Sequence, residues 1–347
     1  MAPDGPARFT SPAILPACDP LLLRDIEQAL EPLPQGAPVG IALSAGPDSA
    51  MLAIHAAHIA QVQGCMLHAL HVHHGLQAEA DAWLQHAHDL AGLLQISCHS
   101  RKVTVTVAGR GLEAAARTAR YAALRDLAAG AGIGHILLAH HQDDQAETVL
   151  LRLLRGAGPE GLAAMAPVVQ RHGLYWLRPW LNQPRTRVLA CVPRFAAATR
   201  WHPVQDPSNQ AVHLARGALR TELAPILDRH WPAWRTTLGR HAQQAQALQR
   251  WAAAAGAQAL QTLDPDEDGG GFSLAAWRAL SAEQQVAVLR HWLHAQGLRM
   301  PTAARLRDWL HQLRTVHALG HDRQVTLPHE GHVIRVVRGR VRLFDSR

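Results

Sequence analysis

The chain has 347 residues with a formal charge of +7 and a pI near 10.2, long enough for a sizeable core split between two domains and basic enough for a polyanionic partner. No apolar run is long enough to cross a bilayer and the start lacks a basic region followed by an apolar one, so a cytoplasmic protein without membrane contact is expected. Cys18, Cys65, Cys98 and Cys191 are scattered, with no Cys-x-x-Cys pair, which signals neither a disulfide framework nor a zinc or iron–sulfur centre.

The first informative stretch is Ser44-Ala45-Gly46-Pro47-Asp48-Ser49, between an apolar strand-like run at 39–43 and a helix-like run from Ala50. A strand, a tight turn carrying hydroxyls and glycine, and then a helix make an anion site, because the first helical N–H groups have no internal partner and lie at the positive end of the helix dipole. Asp48 is the odd member. A carboxylate beside bound phosphates repels them unless a divalent cation lies between, so Asp48 is a candidate magnesium ligand. A plain helix cap is the competing reading of these six residues.

Residues 66–72 and 133–139 read as strands, with 96–107 a less regular third; 78–94, 112–130 and 143–154 read as helices. This alternation predicts an α/β fold with a doubly wound, mostly parallel sheet that binds ligands beyond the strand carboxyl ends. The run His71-Val72-His73-His74 invites a metal reading, but His73 and His74 would face opposite sides of a strand with no acidic residue adjacent. Arg117 and Arg120, three apart on a helix, can present two guanidinium groups to phosphate, surface ion pairing being the alternative. His140 and His141 open the helix that carries Asp144 and Glu147 on one face, where imidazole and carboxylates can bind phosphate oxygens, position a metal or move a proton.

From residue 231 the pattern becomes helical, with one long helix over 237–263, an acidic glycine-rich run at 264–271 read as an exposed loop, further helices at 281–296 and 302–313, and a hairpin at 333–344 turning near Gly339. Arg338, Arg340 and Arg342 share one parity there. They form a basic face for nucleic acid, or a strand edge protected by charge. The expected organisation is a first domain over 1–230 that carries the loop and its neighbours, a linker helix and acidic loop over 231–268, and a small, mainly helical domain over 269–347 that carries the basic face.

Several of these strings together resemble one family. The loop at 44–49 is similar to the pyrophosphate (PP) loop of the N-type ATP pyrophosphatases. The run at 71–76, the helix carrying Glu113, Arg117, Arg120 and Tyr121, the run at 139–156 and Asp206-Pro207-Ser208-Asn209 resemble the tRNA(Ile)-lysidine synthetases. The resemblance implies that ATP adenylates O2 of the wobble cytidine of a tRNA(Ile) with a CAU anticodon. The amine of free L-lysine then attacks C2, AMP leaves and lysidine forms. It implies that Ser44, Ala45, Gly46, Pro47, Asp48 and Ser49 hold pyrophosphate, that Asp48 and Asp144 bind Mg2+, that His140 and Arg117 face the phosphates and that Glu147 lies near lysine or metal. Arg216 and Arg220 would contact phosphate or tRNA, with Arg338 and Arg340 as further tRNA contacts, and no protein partner beyond a homodimer is implied.

Three departures stand out. Ala45 replaces the first loop glycine and is expected at negative φ; Pro47 removes an N–H donor; Gly217 stands where the family usually has Asn. The chain also looks like a shorter form without a second C-terminal domain. A tRNA-thiolating relative with the same loop and a non-catalytic tRNA-binding module are the alternatives. The scattered cysteines oppose the first, and the presence of Asp48, Asp144 and Glu147 opposes the second.

Overall fold

The computed structural model describes residues 17–75, 79–106, 112–205, 215–267, 269–316 and 325–346. They fall into two compact units, one reaching residue 156 and resuming over 164–242, the other formed by 157–163 and 243–347.

In the first unit, α1 (Pro20–Leu30) begins where the Asp19 carboxylate accepts the Leu21 and Leu22 N–H groups at 2.9 and 3.3 Å. It buries Leu22, Ile26 and Leu30, a single stripe at four-residue spacing. Then follow β1 (Pro38–Ala42), α2 (Pro47–Gln63), β2 (Met66–His73), α3 (Ala80–Leu93), β3 (Ser97–Lys102), α4 (Leu112–Gly130), β4 (His135–Leu137) and α5 (Gln142–Leu154). Short α6 (Pro159–Leu162), which belongs to the second unit, precedes in the chain the hairpin β5 (Val168–Arg171) and β6 (Leu174–Leu177), then α7 (Arg185–Leu189), α8 (Val192–Thr199) and α9 (Ala215–Ala218). A π-helical turn at Leu219–Leu223 leads into α10 (Ala224–His230) and α11 (Trp234–Gln261).

The sheet order is β3-β2-β1-β4-β6-β5, every pairing parallel except the β5–β6 hairpin. The expected doubly wound sheet is thus present and extends further than residue 155. Both faces of β1 are covered, and its neighbours come so close that a Cβ on Gly40 would lie 2.8 Å from Leu70 Cδ1. Helix α2 is apolar around its whole circumference and is buried from Ser49 to Ala57. It ends at Gly64, whose φ of +73° suits glycine.

Two histidines are locked into this core. His55 donates from Nδ1 to Met51 O at 2.7 Å and accepts the Asp19 N–H at Nε2 at 3.0 Å, so a second ring proton would face a donor. Burial pushes its pKa down to about 4, and His71, donating to Leu43 O at 2.9 Å, is likewise pushed to about 4. Both are neutral when folded and take up protons more readily when unfolded. Stability is therefore intact above pH 6.5 and is lost as pH falls toward 4, by roughly 3 kcal/mol for His55 alone. Urea unfolding midpoints should fall across that window, and a midpoint unchanged between pH 7 and 4.5 would contradict the assignment.

The second unit has its own core, built on Phe272, Trp277, Trp292, Trp309, Leu313, Ile334 and Val341. Its elements are β7 (Gly271–Ser273), α12 (Leu274–Arg278), α13 (Ala282–Ala295), α14 (Ala303–Thr315), β8 (Thr326–His329), β9 (His332–Val337) and β10 (Arg340–Asp345). Ser273, Ser281 and Thr302 cap the three helices. The expected hairpin is β9–β10, with Gly339 at φ +75°. It sits inside a four-stranded antiparallel sheet of order β7-β10-β9-β8 beside the expected helices; β7 and β8 are three and four residues long and give little alternation to detect. Among the described residues, no helix is long and apolar enough to cross a membrane.

Candidate active site

At the end of β1 the chain makes its turn through Ser44, Ala45 and Gly46, and α2 starts with Pro47 at its first position, where a missing N–H costs no helical bond. The Ser44 and Ser49 hydroxyls lie 3.0 Å apart, Ser49 Oγ donates to Gly46 O at 3.1 Å, and the Ser44 N–H donates back to Ser49 Oγ at 3.1 Å. The loop is thus pre-shaped, with the opening N–H groups of α2 at its mouth.

The expectation of negative φ at Ala45 is wrong. Its φ is +62°, its side chain is fully buried, and its carbonyl accepts the Val204 N–H at 3.0 Å. The turn overrides a local preference worth about 1–2 kcal/mol for a residue with a Cβ. Ala45→Gly should raise the thermal midpoint by about 1–3 °C and leave activity intact, whereas a lower midpoint would refute the strain.

Helix α5 starts from His141. Its Nδ1 accepts the Asp144 N–H at 3.3 Å, and the Asp144 carboxylate accepts the His141 N–H at 3.3 Å, a reciprocal cap. With Nδ1 used as acceptor, His141 Nε2 carries the proton and faces two carboxylates, Asp48 at 3.6 Å and Asp144 at 3.4 Å. The ring thereby joins the two separated acidic residues that the sequence singled out.

Each of those carboxylates also has an arginine. Arg185, first residue of α7, grips Asp48 through Nε at 3.1 Å and Nη2 at 3.0 Å, and its N–H donates to Asp143 Oδ2 at 3.0 Å. Arg220, in the π-helical turn, grips Glu147 at 2.6 and 2.9 Å and reaches Asp144 at 3.1 Å. Arg216 pairs with Glu147 at 3.1 Å and donates to Thr148 Oγ1 at 3.0 Å. Both arginines, expected to face phosphate or tRNA, are thus paired with carboxylates on α5. Burial opposes ionisation of Asp144, yet His141, His140, Arg216 and Arg220 more than offset it and hold its carboxyl below the usual range.

Arg117 lies on α4 with its guanidinium 5.1 Å from the Tyr121 ring centroid and its Nη2 3.4 Å from the Tyr121 hydroxyl; Arg120 lies 5.7 Å from the same ring. Neither forms an ion pair with a carboxylate among the described residues, although Asp144 acts electrostatically on Arg120. Burial, aided by Arg178, Arg120 and Arg117 against the pull of Asp144, pushes His140 down to about 3. His140 is neutral at physiological pH, and its Nδ1 is buried without a hydrogen-bond partner among the described residues. The run at 206–209 and the side chain of Glu113 lie outside the described residues.

Sequence reasoning missed Arg185, and it did not see that His73 meets Asp81 from α3 at 2.9 Å. Only Pro184 before Arg185, a helix-start signal, marked the former. Among the described residues, no three His, Cys, Asp or Glu side chains form a group that could hold a metal alone. All four cysteines are held as thiols, burial pushing Cys18 to about 12 and Cys98 to about 11 and raising Cys65 and Cys191.

Arg338 and Arg340 belong to the second unit. Arg338 sits in the hairpin turn at φ +52° and is exposed, while Arg340 is paired with Asp264 and Asp266.

A parallel sheet whose first strand passes through this hydroxyl-lined turn into a buried helix defines a PP-loop protein, and residues 20–227 match the PP-loop domain family. Residues 272–342 match the TilS substrate binding domain. A tRNA(Ile)-lysidine synthase of Bordetella parapertussis is 49% identical over 338 residues, covering 96% of this chain and 98% of the relative. That of Bordetella pertussis is 51% identical over 320 residues, covering 92% and 98%. The chain belongs to the tRNA(Ile)-lysidine synthase family. A solved U34-tRNA thiolase, NcsA from Methanococcus maripaludis with its [4Fe-4S] cluster, superposes with a TM-score of 0.53 at 15% identity, over 64% of this chain and 76% of that one, and shares the fold.

Proposed function

We propose that this chain uses ATP to ligate lysine to C2 of the wobble cytidine of tRNA(Ile) with a CAU anticodon. The C2 carbonyl is a poor electrophile. When O2 attacks the α-phosphorus and pyrophosphate departs, that oxygen becomes a phosphate ester; when the lysine amine then adds at C2, the C–O bond breaks and AMP carries the oxygen away. The observation that carries the reading is the junction at His141, where Asp48 of the loop and Asp144 of α5 meet in a chain related along nearly its whole length to lysidine synthases.

The loop at 44–49 holds the pyrophosphate portion through backbone and hydroxyl donors, and Arg117 and neutral His140 face the phosphates. Two hard carboxylates beside phosphate oxygens suit Mg2+, which takes one or two carboxylates and fills its shell with phosphate and water. Asp48 and Asp144 would hold it, and when bound it supplies charge neutralisation at phosphorus. Until it binds, Arg185 and Arg220 keep those carboxylates oriented. Glu147, 5% exposed, accepts the charge of Arg216 and Arg220 beside the site entered by lysine.

Incubation with ATP, lysine and a tRNA(Ile) transcript carrying CAU, followed by digestion to nucleosides, should yield one lysidine per AMP released. Lysine-dependent AMP release without the modified nucleoside would reject the assignment.

A further inference from the structure

The acidic run read from sequence as a linker is bound to the basic face of β10. Arg340 Nη1 lies 2.6 Å from Asp264 Oδ2 and its Nη2 donates to Asp264 O, while its Nε lies 2.7 Å from Asp266 Oδ1. Arg342 grips the same Asp266 carboxylate at 2.8 and 3.2 Å. One carboxylate thus bridges two guanidinium groups on alternate residues of one strand face, an arrangement a phosphodiester can also adopt.

The two aspartates are anchored differently. The Asp266 N–H donates to Gly271 O at 2.9 Å and its carbonyl accepts the Gly269 N–H at 2.8 Å. A Cβ on Gly271 would lie 2.5 Å from Asp266 Oδ2 and 2.6 Å from Arg342 Cγ, so glycine there is what lets the aspartate approach. Asp264, by contrast, has its side chain 80% exposed against 15% for Asp266. An exposed ion pair of this kind is weak and readily exchanged.

We propose that Asp264 is the resident competitor of an RNA phosphate at Arg340, a specificity-determining residue of the tRNA surface in this unit. Asp266 holds Arg340 and Arg342 side by side as a fixed bridge. An incoming backbone phosphate displaces the Asp264 carboxylate from Arg340, so RNA gains at this point only when its shape delivers a phosphate to that spot. The proposal rests on the reading of Arg340 as a tRNA contact.

The test is tRNA binding by the full chain, using an unmodified tRNA(Ile) transcript with a CAU anticodon across a salt series. Asp264→Asn should tighten binding about three- to fivefold at low salt, whereas Glu267→Gln, which removes an equal charge from the same loop and has no arginine contact among the described residues, should change it less than about twofold. Arg340→Ala should weaken binding and flatten the salt slope by about one contact, and adding Asp264→Asn to it should gain nothing. Equal tightening by Asp264→Asn with and without Arg340, or none at all, overturns the competitor. Arg340→Ala that leaves both affinity and slope unchanged overturns instead the reading of this face as a tRNA contact.

Discussion

Asp48→Asn should lower ATP-dependent lysidine formation at least about 10²- to 10³-fold while changing tRNA affinity less than about twofold. Asn keeps the size and one acceptor oxygen, so the start of α2 should survive. What disappears is the charge, which in this structure is matched by Arg185 at 3.0 Å and faced by His141 at 3.6 Å. Without it Arg185 has no anion to orient, and the phosphates lose one of the two carboxylates that would share their counter-cation. Parallel titrations of turnover and tRNA binding check this. An equal loss of both would mean that the substitution damages the fold and would contradict a purely electrostatic role.

Glu147→Gln should show its main effect in stability. The Glu147 side chain is 6% exposed and faces Arg216 at 3.1 Å and Arg220 at 2.6 Å, whose side chains are 27% and 29% exposed. A neutral amide leaves Arg220 with Asp144 and Arg216 with the Thr148 hydroxyl among the described residues, and breaking a buried pair from one side costs about 3 kcal/mol. For a unit of this size the thermal midpoint should fall by about 6–12 °C. Activity should fall with it, because Arg220 also positions Asp144. A midpoint within 2 °C of the parent would show that water already satisfies the arginines.

What was legible in the chain was whatever local sequence determines. The strand, turn and helix around Gly46 and the carboxylates Asp144 and Glu147 at the start of α5 announce themselves through cap chemistry and periodicity, and the structure puts them at one end of the parallel sheet. The partners of those carboxylates were illegible because they come from afar: Arg185 is 137 residues from Asp48, and Arg220 is 73 from Glu147. Nothing in the spacing of an arginine says which acid it will meet, so the pairing of Arg216 and Arg220 with Glu147 could not be read from the chain. Ala45 misled for the opposite reason. The rule that a side chain avoids positive φ is sound, and the turn's tertiary bond to Val204 overrides it. The same holds for Asp264 and Asp266, whose composition indicates a solvated loop until β10 supplies two arginines from 76 residues away.

The central claim is that one cation joins the PP loop to α5. Diffraction from crystals grown with Mn2+ and a non-hydrolysable ATP analogue, with data at the manganese edge, addresses it directly. One anomalous peak bonded to both Asp48 and Asp144, with the triphosphate over residues 44–49 and Arg185 released from Asp48, is the expected result. Nucleotide bound elsewhere, or Asp48 still clasped by Arg185 with no metal between the two aspartates, would contradict it.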